Sequence, residues 1–192
     1  MITGEQFIKM KSYPRIVKKN ENQHKLYKDS KFLPLKTLGS KAKGSEIELI
    51  FQEKWEGDGW KVLKSESSDH DRIIESGSDE DNDCINLKAE VVNSKTRRKI
   101  EIKGSFLWNK KNTFRWQQIR PDQDYDEIVF VAIYPDCIKF YKASKEVVCK
   151  NLVFQDENGN WPYMQHGGQG AESRCFWVEG LPEDYPWMEE VK

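Results

Sequence analysis

The sequence predicts an α/β fold, a central mixed β-sheet flanked by helices. Three observations predict it. The run "EIVFVAIY" (127–134) is apolar almost throughout, the mark of a strand covered on both faces. "CINLKAEVV" (84–92) and "RRKIEIKG" (97–104) alternate apolar and polar residues around the turn-forming "NSKT" (93–96), which reads as a hairpin. The order helix, strand, hairpin, helix, strand, strand, helix then builds a sheet with helices laid against it. A chain of 192 residues has room for one such domain with extensions.

The elements follow in chain order. Residues 1–43 read as a basic N-terminal extension or arm. Residues 44–192 read as a single domain, with a core of about 44–152 and a loop-rich part, 153–192. Ile47, Ile50, Phe51 and Trp55 recur at helical spacing behind Gly44-Ser45 as N-cap, and "EGDG" (56–59) stops the helix. "WKVLK" (60–64) is a short strand. "SESSDHDRIIESGSDEDND" (65–83) is rich in Ser, Asp and Glu and reads as a loop or lid. A hairpin turn centred between Ser94 and Lys95 sets Ile102 opposite Leu87 and Ile100 opposite Ala89, apolar against apolar. The same register puts Glu101 opposite Lys88 and Lys103 opposite Asn86. "FRWQQI" (114–119) reads as a short helix, "IKFYKAS" (138–144) as a strand, "SKEVVCKNL" (144–152) as a helix and "CFWVE" (175–179) as a strand in the tail.

Composition narrows the class. Seven Trp and nine Phe argue against disorder. No apolar run approaches the roughly 18 residues of a membrane span, and no signal-peptide pattern opens the chain. The four cysteines show no CxxC spacing, so reduced thiols in a cytoplasmic protein are expected. The net charge of −1 hides four blocks. Residues 1–43 carry eleven Lys/Arg against three Asp/Glu, residues 44–83 four against thirteen, 84–120 ten against two, and 121–192 six against fourteen. Such blocks either form a solvated surface or gather basic segments around an acidic centre. The second arrangement suits a polyanion held over a divalent metal.

Candidate chemistry lies in "IEIKGS" (100–105). Ile100 and Ile102 alternate with Glu101 and Lys103, so the carboxylate and the ammonium share one strand face. The carboxylate can hold Mg²⁺, and the lysine can orient or deprotonate a water, or stabilise charge on phosphate oxygens. Gly104 would let a phosphodiester backbone come close. Taken alone, E-x-K also occurs by chance on ordinary solvent-facing strands.

The ordered set of segments across residues 44–144 resembles the PD-(D/E)XK nuclease superfamily, in particular its type II restriction endonuclease-like members. Four parts carry the resemblance. "GSEIELIFQEKWEGDGWKV" is similar to the opening helix, with Glu48 eleven positions before Gly59-Trp60. "DNDCINLKAEV", "IEIKGS" and "FRWQQIRPDQDYDEIVFVAIYPD" follow in the family's order. The resemblance implies a restriction endonuclease-like core and a DNA endonuclease dependent on Mg²⁺, for which Mn²⁺ would substitute. It implies that Glu101 binds metal, Lys103 assists the water and Glu48 completes the metal shell. The family's upstream Asp falls on Asn86 by the hairpin register. Asp83 supplies the carboxylate instead, or the site is crippled, or the register is wrong; Asp83 is preferred.

Lys110, Lys111 and Arg115 in "NKKNTFR" are candidate phosphate contacts, and Gln117, Gln118 and His166 candidate DNA contacts. As ordinary residues, the glutamines would sit on a solvent-facing helix and His166 in a Gly-rich turn. Trp161, Trp177 and Trp187 read as core or interface. The expected partner is double-stranded DNA, bound by a homodimer or by a small subunit beside a larger one, in a restriction-modification role and away from membranes. A non-catalytic nucleic-acid-binding protein of the same fold, or a repair nuclease acting on mismatched or branched DNA, is the alternative.

Overall fold

The segment RRKIEIKGSF forms a ten-residue strand, and what borders it on each side sets the architecture. The computed structural model describes residues 1–11, 25–76, 96–108, 111–152 and 176–192. In chain order its elements are β1 (Ile2–Thr3), α1 (Gly4–Phe7), α2 (Leu33–Thr37), α3 (Ser40–Gly57), β2 (Trp60–Lys64), β3 (Arg72–Ser76), β4 (Arg97–Phe106), β5 (Phe114–Ile119), β6 (Glu127–Ile133), β7 (Cys137–Ser144), α4 (Lys145–Leu152), β8 (Phe176–Gly180) and β9 (Glu189–Val191). Seven strands make one mixed sheet in the order β1-β7-β6-β4-β3-β2, with β9 also on β7. β4 and β6 run parallel, and the other neighbours in this sheet are antiparallel. β5 and β8 form a separate antiparallel ribbon.

Two apolar layers cover the sheet. Val129, Val131 and Ile133 of β6 join Ile47, Ile50, Phe51 and Trp55 of α3, with Ile100, Ile102 and Phe106 of β4, on one face. Ile128, Phe130 and Ala132 join Phe114, Trp116, Ile119, Phe176 and Val178 of the ribbon and Val148 of α4 on the other. β6 is therefore buried on both sides, as its unbroken apolar run requires. Residues 1–43, expected as an arm, contribute Ile2, Phe7, Tyr27, Phe32 and Leu35 to the first layer. The Tyr27 hydroxyl donates to the Ile133 carbonyl and accepts from the Leu107 N–H at 3.0 Å, tying this segment to the ends of β4 and β6. Among the described residues no helix is long and apolar enough to cross a membrane.

Three expectations are corrected. FRWQQI is strand β5, not a helix. Phe114 and Trp116 alternate with Arg115 and Gln117, and a bulge then carries Gln118 at a φ of 59° before Ile119 turns back to the core. The second correction concerns 65–83, where Arg72–Ser76 is strand rather than loop; Ile73 and Ile74 are both buried and outweigh the polar flanks. β3 is thereby the antiparallel neighbour of β4, with Arg72 opposite Ile100. The third follows from it: Ile100 does not face Ala89, because its two edges are taken by β3 and β6. Residues 77–95, with Asp83 and Asn86, lie outside the described residues. Helix α3 also begins a turn before Gly44-Ser45, since Lys41-Ala42-Lys43 are good helix formers.

Gly104 has a packing reason. It lies on the α3 face of β4, and a Cβ there would sit 2.3 Å from Ile47 Cδ1 and 3.0 Å from Ile47 Cγ2. The near neighbour on that face is the helix, and Gly104 also borders the open cleft beside it. This close approach sets the depth at which α3 crosses the sheet. Gly104→Ala should therefore destabilise the fold by about 1–3 kcal/mol through overpacking. Adding Ile47→Val, which deletes the nearest methyl, should recover part of that loss in urea unfolding. Additive losses in the double variant would contradict the close-packing account.

Candidate active site

β3 ends at Arg72, opposite Ile100, while β4 continues to Phe106. Among the described residues, 101–106 are paired on one edge only, with β6. Asp71 stands where β3 would have continued. Its N–H donates to the Ile100 carbonyl at 2.9 Å, and its Oδ2 accepts from the Ile102 N–H at 2.7 Å. The carboxylate of Asp71 is thus fixed at the residue between Glu101 and Lys103.

A cleft of about 580 Å³ runs along this open stretch, lined in part by Glu48, Asp71, Lys103, Arg115, Gln117 and Gln118. Glu48 comes from α3. Its Oε2 lies 2.8 Å from Arg72 Nη1. Lys103 and Glu101 share the opposite face of the strand and form an ion pair. Glu101 lies below the cleft lining, only 5% exposed, and reaches it through Lys103. Ser105, next on the same face, accepts from the Arg115 N–H at 2.9 Å and so seats β5 against the cleft.

The electrostatics follow from this burial. Desolvation pushes the Glu101 carboxyl well above the usual carboxylate range, and Asp71 adds to the shift, while Lys103 and Arg120 oppose it. Glu48 is also raised, first by burial and then by Asp71, against the pull of Arg72 and Lys103. Three carboxylates meet two directly paired cations here, which leaves the centre short of positive charge.

The donors are all hard oxygens, the chemistry that Mg²⁺ prefers. Among the described residues, Asp71, Glu48 and Glu101 are the carboxylates gathered here that could offer oxygens to such an ion. Among the described residues no three His, Cys, Asp or Glu are grouped closely enough to cage a metal by themselves. Mg²⁺ usually takes one or two carboxylates, with waters and substrate phosphate filling the rest of its shell.

Of the residues expected from sequence, Glu48, Lys103, Arg115, Gln117 and Gln118 share the cleft, and Glu101 joins them through Lys103. Lys111 does not line it; its Nζ lies 2.8 Å from Glu179 Oε1. Arg115 also pairs with Glu179, so a single carboxylate serves two cations there. Trp177 is not core. It and Trp108 are exposed and flank the Arg115 guanidinium at 5.5 and 5.7 Å. Trp187 packs at the edge of the second layer. Asp83, Asn86, Lys110, Trp161 and His166 lie outside the described residues. Asp71 was missed, although an acid directly before Arg72-Ile73-Ile74 marks a strand entrance.

No protein-family model matches the chain, and no curated protein does. Among solved structures it is similar to a bacterial homing endonuclease, I-Ssp6803I, at 19% identity and a TM-score of 0.41, over 65% of this chain and 83% of that one. An overlap this loose does not bear on individual residues or on activity.

The raised Glu101 has a consequence for stability. The folded protein keeps this proton to higher pH than the unfolded chain does, so the native state binds more protons in that interval. Unfolding free energy therefore falls as pH rises from the ordinary carboxylate range through the folded value. Urea midpoints measured across that range should show wild type losing stability relative to Glu101→Gln as the pH is raised. A pH-independent difference would rule out the desolvated carboxyl.

Proposed function

We propose that the chain is a DNA endonuclease of restriction type, built on the PD-(D/E)XK plan and dependent on Mg²⁺, with Mn²⁺ able to replace it. One observation carries this reading. Glu101 and Lys103 are in contact on one strand face, and the Asp71 carboxylate is bonded to the residue between them, beside an open cleft. In this reading Asp71 takes the upstream acid position that the sequence had left between Asp83 and Asn86.

The residues divide the work. Asp71 and Glu101 would hold the ion, and Glu48 would offer a third oxygen once Arg72 yields it. Mg²⁺, when bound, supplies Lewis acidity and positive charge at the scissile phosphate. Lys103 lines the cleft, within reach of an attacking water or of a non-bridging phosphate oxygen, and can guide the water or offset developing charge. Hydrolysis adds the water oxygen to phosphorus and breaks one P–O ester bond, and the departing alkoxide leaves as a hydroxyl. The wall opposite α3 carries Arg115, Gln117 and Gln118, side chains suited to backbone and base-edge contacts.

A second reading has its own support. Glu101 is already paired with Lys103 and Glu48 with Arg72, which suits a fold that binds nucleic acid without cutting it. Incubation with supercoiled plasmid and Mg²⁺ or Mn²⁺ separates the two, because binding without nicking favours the second.

On the endonuclease reading, Lys103→Ala should lower nicking by at least about 100-fold with DNA affinity largely kept. Asp71→Asn should lower it as much, and should lack the Mg²⁺-induced rise in melting temperature expected of wild type. Wild-type nicking by Asp71→Asn would remove Asp71 from the site.

A further inference from the structure

The far wall of the cleft, away from Glu101, carries a feature the proposed chemistry does not use. Lys36 of α2 and Lys43 in the first turn of α3 both line it. Lys36 Nζ lies 4.4 Å from the centre of the Phe106 ring and 5.1 Å from that of Tyr27. Lys43 Nζ lies 5.4 Å from the same Phe106 ring. Two ammonium groups therefore crowd one aromatic ring at the end of β4, close enough for Lys43 to act on Lys36. Several other partly buried lysines have carboxylates, Lys54 with Asp58, Lys139 with Glu190 and Lys142 with Glu189, and Lys145 donates to the Gln123 carbonyl. Among the described residues, no carboxylate pairs with Lys36 or Lys43.

The charges facing Lys36 confirm the imbalance. Burial is the main influence and pulls its ammonium down to about 8, and Lys43 on α3 repels it further. Burial lowers Lys43 as well. Tyr27 and Phe106 meet Lys36 only with their rings. An aromatic face attracts a cation but does not neutralise it. One anion seated between the two ammonium groups would turn their repulsion into two charge-assisted contacts.

We propose that Lys36 and Lys43 form a backbone-phosphate subsite, which clasps a phosphodiester of the nucleic-acid strand in the cleft other than the one being cut. This rests on the endonuclease reading for the identity of the strand. The pair would fix the register of the strand without reading its sequence, since phosphate contacts position while base contacts specify. It belongs to the first basic block of the chain, and Lys103 and Arg115 to the second.

The test measures duplex DNA affinity in EDTA against NaCl concentration. Each phosphate no longer neutralised flattens the log–log salt dependence by about 0.9, and the pair holds a single phosphate, so Lys36→Gln/Lys43→Gln should flatten it by about 1. Lys36→Arg/Lys43→Arg should restore the wild-type slope, and a melting curve should show the Gln pair folded at the assay temperature, so that a flattened slope is not a loss of folding. Wild type should also take up protons on binding DNA near pH 8.5, seen by calorimetry in buffers of different ionisation heat, and Lys36→Gln should not. An unchanged slope in the Gln pair overturns the subsite, even if wild type nicks plasmid. Lysine-dependent binding of inorganic phosphate alone, with that slope unchanged, overturns it as well. Slope loss without any nicking upholds the subsite and removes the catalytic reading. Failure of wild type to bind duplex DNA removes both.

Discussion

The hydrogen bond from the Ile102 N–H to the Asp71 carboxylate determines where the sheet stops and the cleft begins. An unpaired strand edge in the middle of a sheet exposes backbone donors and acceptors that invite another strand. Here β3 ends early, and a side chain replaces its next backbone acceptor. Among the described residues the edge of β4 stays open over 101–106, but its first donor is satisfied. Everything that converges on the cleft uses that opening. Glu48 comes over it from α3, Lys103 and Glu101 come from the opposite face, and β5 closes in through the bond from Arg115 to Ser105.

Much of the fold was legible because its signals were strong and local. "WKVLK" is strand β2 without change of boundary, and the apolar run at 127–133 is buried on both faces. FRWQQI misled because it is short and because its bulge interrupts the alternation after Trp116. The three-residue spacing of Trp116 and Ile119 then resembles a helix as much as a strand. RIIES was hidden by its surroundings, since two isoleucines among Ser, Asp and Glu read as loop until a partner strand is known. The pair Glu101 and Lys103 was legible because strict alternation puts positions two apart on one face. Asp71 was not, because the register of a long-range pair is set by the buried faces of both strands, and one of those strands had gone unrecognised.

The charge blocks acquire a physical sense in the cleft. Its acids, Glu48 and Asp71, come from the acidic block of the sequence, while Lys36 and Lys43 come from the first basic block and Lys103 and Arg115 from the second. Gathering them costs desolvation, which shows in the raised carboxyls of Glu48 and Glu101 and in the lowered ammonium groups of Lys36 and Lys43. Acids and bases that are both held away from their comfortable ionisation are typical of sites poised for a ligand rather than of a settled surface.

The pairing of β1 with β7 sets the timetable of synthesis. Ile2 lies opposite Ile138, so β1 must wait for β7 to be synthesised before it can pair. Phe7, Tyr27, Phe32 and Leu35 are made early, yet they pack against partners such as Ile133 and Ile138 that come late. At the usual pace of translation, about 5–20 residues per second, these aromatic rings stay uncovered for several seconds. Until then the early segment has only part of its apolar layer to pack against.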